Sequence, residues 1–293
     1  ENTRAEKELD RINHVDTTSA QTGPIFLAYR DDERVAALLA PVTKEVPLYD
    51  FTKEDGIRHT VWKIDDEGLV EAIENAFKSI PHTYIADGHH RAASAVKVAL
   101  RRREAHPDYD GTEEFNYFLS VLFPASALRI FDYNRVVKDL NGYSEEAFLK
   151  RIAEDFSVTE VSKKGEPYRP EAKGCFGMFL SDKWYRLQVK NAPEGSDPVK
   201  SLDVSVLQDR LLGPVLGIRD PKTDNRIDFI GGIRGLSELE RRVSLDMKVA
   251  FSMFPTSMEE LFRVADAGLL MPPKSTWFEP KLLSGIFIHE IER

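Results

Sequence analysis

The sequence predicts an α+β fold, with mixed sheets carrying packed helices, and three observations predict it. Apolar runs of strand length are interspersed with helical stripes, without the steady strand–helix–strand rhythm of a parallel sheet. Three runs in the second half, at 158–161, 175–180 and 184–189, are separated by polar turns and read as antiparallel strands. The chain of 293 residues is 42% hydrophobic and 30% charged, enough for one large domain or two modest ones.

The elements follow in order. The stretch to Gln21 is polar, helix-like and then loop. Residues 24–29 form a strand, and 31–40 a short helix whose opening acids suit its positive end. Strands are expected at 48–51 and 59–64. Asp65 or Asp66 then caps a helix with Leu69, Ile73, Ala76 and Phe77 on one stripe, stopped by Pro81. After a strand at 82–86 the chain turns on Asp87 and Gly88 into a helix from 89 to about 103, with Ala92, Ala93, Val96, Ala99 and Leu100 as its buried face. Strands at 115–123 and 128–133 come next. Ser144 caps a helix to about 154. Helices near 204–211, 236–243 and 258–267 alternate with short strands at 226–230 and 249–253, and a strand at 285–289 closes the chain. The expected division lies within 134–144, giving domains 1–140 and 141–293. Cys175, the single cysteine, reads as a small core residue of a buried strand.

Composition narrows the function. Lys plus Arg is 40 and Asp plus Glu 49, a net charge of −9, which argues against a general nucleic-acid binder needing a basic face. No apolar run approaches the roughly 18 residues of a membrane span, and the charged opening residues are not a secretory signal. One unpaired cysteine fits a reducing, cytoplasmic location.

The densest chemistry is Asp87, Gly88, His89, His90 and Arg91, on a strand–turn–helix. The first helical turn has backbone N–H groups without intrahelical partners and a positive dipole end, a place that binds anions, phosphate above all. Arg91 can grip phosphate oxygens bidentately. His89 and His90 can donate hydrogen bonds or shuttle a proton. Asp87 can hold a magnesium ion or orient a hydroxyl nucleophile. The plainer reading makes Asp87 an N-cap and the rest surface groups. Zinc is a weaker reading, because adjacent histidines point to different sides of a helix.

A second cluster runs from Met271 to Lys281. Two prolines set an extended approach, and Lys274, Ser275, Thr276 and Lys281 offer cationic and hydroxyl groups to an anion. A rigid loop packing Trp277 and Phe278 on the core is the equal alternative. Asp228 to Gly235 has glycines between a strand and a helix, and reads as a plain turn before it reads as a ligand loop. His14, with Asp16, Thr17 and Thr18, reads as a solvated loop, and Arg101 to Arg103 with Glu104, Asp108 and Asp110 as a solvated helix end.

Three strings together resemble the domain-of-unknown-function 1015 family: Tyr84 to Ala93, Asn134 to Gly142 and Met271 to Lys281. Essentially the whole chain is covered, although members usually carry a longer opening segment. Asp87 to Ala93 is also similar to the phosphate-holding Gly-x-x-Arg box of the ParB and sulfiredoxin superfamily, whose members include free-serine kinases with an Asp-Gly-His-x-Arg version. By that resemblance Asp87 sits beside the transferred phosphoryl group, and Gly88, His89, His90 and Arg91 cradle phosphates. The glutamate base of those kinases maps onto no residue here. The expectation is a small-molecule phosphotransferase, a free-serine kinase as first candidate. It would use ATP or ADP with magnesium on serine or a similar hydroxyl metabolite, with Lys274 or Lys281 as second anchors. A non-catalytic nucleotide- or anion-binding regulatory module is the alternative, and homo-oligomers stay open. A DNA-binding partition protein is disfavoured by the charge.

Overall fold

The computed structural model describes residues 5–192 and 197–292. Along the chain the elements are α1 (Ala5–Thr18), β1 (Ala20–Gln21), β2 (Ile25–Tyr29), α2 (Glu33–Val42), β3 (Tyr49–Thr52), β4 (Arg58–Val61), α3 (Glu67–Lys78), β5 (Tyr84–Asp87), α4 (His89–Ala105), β6 (Ser120–Pro124), β7 (Arg129–Phe131), β8 (Tyr133–Val137), α5 (Glu145–Asp155), β9 (Phe156–Lys163), β10 (Cys175–Leu180), β11 (Lys183–Val189), α6 (Asp203–Leu207), β12 (Ile227–Gly231), α7 (Ser237–Leu245), β13 (Val249–Ser252), α8 (Met258–Asp266), β14 (Trp277–Glu279) and β15 (His289–Glu290). The fold is α+β, as the sequence predicts. It has two compact units, one of 8–128 joined by 282–292, the other of 129–281.

In the first unit β2 is the middle strand of three, antiparallel to β5 and parallel to β6. All five of its residues are buried, which explains its unbroken apolar sequence. Asp32 and Asp66 cap α2 and α3 with their carboxylates. Along α4 the buried residues are Ser94, Ala95 and Val98, while Val96 and Leu100 are half exposed. The expected apolar face is therefore rotated. Val98 packs with Ile12 and Val15 of α1, Phe115 and Ile291, and that contact orients the helix. The run at 115–123 is no single strand: residues 114–116 form a 3₁₀ turn, and pairing begins at Ser120. The expected closing strand shrinks to β15, which pairs with β1.

The second unit is a six-stranded antiparallel sheet in the order β12-β8-β13-β10-β11-β9. Both faces are covered. Phe176, Met178 and Leu180 meet Phe148 and Ile152 of α5, Val204 and Leu207 of α6, and Val264 of α8. Phe179 and Trp184 lie on the opposite face with Leu239 of α7. That double cover explains why every residue of β10, Cys175 included, is buried. The division falls at 128/129 instead of 140/141 because β8, which the sequence reading assigns to the first domain, lies inside this sheet.

Candidate functional site: the Asp87–Arg91 turn

The predicted strand–turn–helix is present. β5 ends at Asp87, Gly88 holds φ +91° and ψ 28°, and α4 starts at His89. That left-handed conformation suits glycine and few other residues. Asp87 is not the N-cap. Its Oδ1 accepts the N–H of Gly88 at 2.7 Å, and Gly88, the N-cap of α4, has no side chain to give. No acid stands in the first turn of this 17-residue helix, and the carboxylate at its positive end is that of Asp87, one residue before the cap.

Arg91 is folded back toward this end. A Cβ placed on Gly88 would stand 3.1 Å from Arg91 Nε, and one on Gly23 would stand 3.0 Å from Arg91 Nη1. The guanidinium thus lies against two glycine backbones, one before β2 and one before α4. The same Gly23 position faces Ser284 Oγ at 3.3 Å, and Gly285 donates its N–H to Thr22 O at 3.1 Å. His14 Nε2 lies 3.3 Å from Thr22 Oγ1. Sequence reasoning missed Gly23 and Ser284, since nothing local marks residues so far apart as neighbours. His14 is on α1, not on a loop. Asp87, Gly88, His89, His90 and Arg91 are all half-buried, in position to meet a ligand without being sealed from it.

Asp87 is the one carboxylate in the turn. Among the described residues no group of three or more His, Cys, Asp or Glu side chains is arranged to hold a metal.

Lys274, Ser275, Thr276 and Lys281 belong to the second unit. Ser275 is buried, its hydroxyl donating to Pro272 O and its carbonyl accepting from Thr256 Oγ1 at 3.1 Å. Lys274 is exposed, at φ +56°, with Nζ 5.5 Å from the centre of the Tyr133 ring, and Lys281 Nζ is 5.2 Å from that of Trp277. Phe278 is buried on β14, paired with Ile130 of β7. The glycines after β12 serve close packing: a Cβ at Gly231 would lie 2.6 Å from Trp277, and one at Gly232 would lie 2.3 Å from Asp132 Oδ1. Around 101–103 the arginines are not merely solvated. Arg102 donates to Ser19 Oγ at 2.9 Å and Arg103 to Asn116 Oδ1 at 2.7 Å, tying α4 to the end of α1 and to the 3₁₀ turn.

The family model of DUF1015, described as a protein of unknown function, matches residues 1–205. The chain belongs to this family. No curated protein matches the sequence. Among solved structures, this DUF1015 chain is similar to a free serine kinase in complex with AMP, at 16% identity and a TM-score of 0.42, over 94% of this chain and 81% of that one. SbnI with C-terminal truncation, from Staphylococcus aureus, gives 10% identity and a TM-score of 0.44 over 95% and 77% of the two chains. A conserved hypothetical protein from Pyrococcus furiosus gives 14% and 0.40 over 97% and 88%. No helix among the described residues is long and apolar enough to cross a membrane.

Proposed function

We propose that the Asp87–Arg91 turn binds the phosphates of ATP or ADP and that the protein transfers a phosphoryl group from the nucleotide to the hydroxyl of a small metabolite, serine being the first candidate. One observation supports this above the rest: the Arg91 guanidinium is folded against Gly88 and Gly23 at the mouth of a helix whose N-cap is a glycine. Phosphoryl transfer asks a protein mainly for positioning and for neutralisation of charge. The helix start supplies N–H donors and a dipole, and Arg91 supplies a planar cation. Asp87 would hold one face of a magnesium ion carried in on the phosphates, and His89 and His90 would donate to phosphate oxygens. In the transfer, the bond from the terminal phosphorus to its bridging oxygen breaks and a bond to the acceptor oxygen forms. The acceptor's proton leaves to a base, for which Asp87 or a neighbouring histidine is the candidate.

The test is titration calorimetry with ADP and ATP in the presence of magnesium, followed by a coupled assay with L-serine, on the wild type, Asp87→Ala and Arg91→Met. Loss of the guanidinium should weaken nucleotide binding by about ten- to a hundredfold, the worth of a charge-assisted hydrogen bond. Loss of Asp87 should remove product with less effect on binding. Nucleotide binding with no product for any hydroxyl acceptor assigns the regulatory-module reading instead. Unchanged binding in Arg91→Met refutes both.

A further inference from the structure

Arg135 stands on β8, in the body of the six-stranded sheet, with 3% of its surface exposed. Its guanidinium lies 5.7 Å from the centre of the Phe229 ring on the paired β12. Nη1 donates to the carbonyl of Tyr133, and Nη2 to the carbonyl of Lys274 at 3.1 Å. Both acceptors are neutral. Among the described residues Arg135 forms no ion pair with a carboxylate. Burial pushes its pKa down to about 10, so the group is still cationic at neutral pH. A buried charge without a counter-ion is among the most costly features a fold can carry.

The residue borders a cavity of about 430 Å³ that belongs wholly to the second unit. A volume of that order holds a small metabolite. Phe229, Val204, Leu212 and Pro272 give it apolar walls. Lys200 and Lys222 are exposed lining residues, as are the acids Asp209 and Asp220. Among the described lining residues the net charge is one positive, and the one buried charge is the guanidinium. Asp220 is turned to its own loop, Oδ1 accepting from the N–H of Lys222 at 2.9 Å and Oδ2 from Thr223 Oγ1 at 3.2 Å.

We propose that this cavity is a binding site for a small organic monocarboxylate with an apolar body, whose carboxylate is the counter-ion of Arg135. The planar guanidinium matches a carboxylate in shape and geometry. One deep positive charge is neutralised by one negative charge, whereas a phosphate dianion would leave a second charge buried and unpaired. The apolar walls then take the remainder of the ligand. The Asn134–Gly142 and Met271–Lys281 strings meet at this site, since Lys274 gives its carbonyl to Arg135 and Pro272 lines the space.

Calorimetry on the full chain tests this with hexanoate and 3-phenylpropionate, against 3-phenylpropanamide and phenyl phosphate. At least one carboxylate should bind, the amide should not, and phenyl phosphate should bind more weakly than 3-phenylpropionate. Arg135→Met should weaken carboxylate binding by about ten- to a hundredfold. Because that core variant can lose its fold, the exposed Lys222→Glu is measured beside it, and the added like charge should weaken binding by about two- to tenfold. The proposal is overturned if neither carboxylate binds, if the amide binds as well as the acid, if phenyl phosphate binds more tightly, or if Lys222→Glu and a folded Arg135→Met both bind like the wild type.

Discussion

Replacing Asp203 by Asn should change how stability responds to pH. Asp203 opens α6 with 8% of its surface exposed, and both carboxylate oxygens face the N–H of Gly174, at 2.9 and 3.0 Å. Burial raises its pKa to about 7, against the pull of the Gly174 bond and of Lys173. The folded protein therefore holds this proton over a range where the unfolded chain, at about 4, has lost it. Wherever the native state binds more protons, stability falls as pH rises. The contribution of Asp203 is thus full below about pH 4 and is lost progressively up to about pH 7. A difference of about three pH units, at about 1.36 kcal/mol each, amounts to roughly 4 kcal/mol. Asn does not titrate and keeps an acceptor for Gly174, so Asp203→Asn lacks this dependence. Urea unfolding from pH 4 to 8, followed by tryptophan fluorescence, compares the two proteins; Trp184, buried in the same unit, is the relevant reporter. The variant should gain on the wild type by roughly 4 kcal/mol across that range. Parallel profiles would refute the reasoning, because they would mean Asp203 is already ionised in the native state at low pH.

Three further substitutions probe other parts of the chain. Gly88→Ala puts a side chain at φ +91° and a Cβ 3.1 Å from Arg91 Nε, so it should cost about 1–2 kcal/mol in thermal unfolding and weaken nucleotide binding at the same time. Gly177→Ala would place its Cβ 2.2 Å from Ser252 Oγ and 3.0 Å from the carbonyl of Tyr168, an overpacking of about 1–3 kcal/mol or more that calorimetric melting should register. Ser257→Ala breaks a reciprocal capping box with Glu260, and urea unfolding should lose about 1 kcal/mol.

Local features were legible in the sequence and distant ones were not. The Asp87–Arg91 turn could be read because a strand end, a glycine and a helix start are neighbours along the chain, and the caps Asp66 and Ser144 likewise. The direction in which α4 turns its apolar face was not, since Ala92, Val96 and Leu100 make as good a stripe as the one Val98 occupies. Contact with α1 and Ile291 decides between them, and no local pattern encodes that contact. Gly23 and Ser284 join Arg91 for the same kind of reason. Arg135 did leave a trace: an arginine inside a strand buried on both sides is out of place, and the run Asn134, Arg135, Val136, Val137 could have been questioned on that ground.

The pairing of β15 with β1 has a consequence for biogenesis. The unit built on residues 8–128 is completed only by residues 282–292, which supply β15, the partner of β1, and the hydroxyl of Ser284 beside Gly23, more than 150 residues further along the chain. The surroundings of Arg91 are thus incomplete until residues 282–292 have been made. Until β15 is made, β1 has no strand beside it, and its backbone donors and acceptors are open to other pairings.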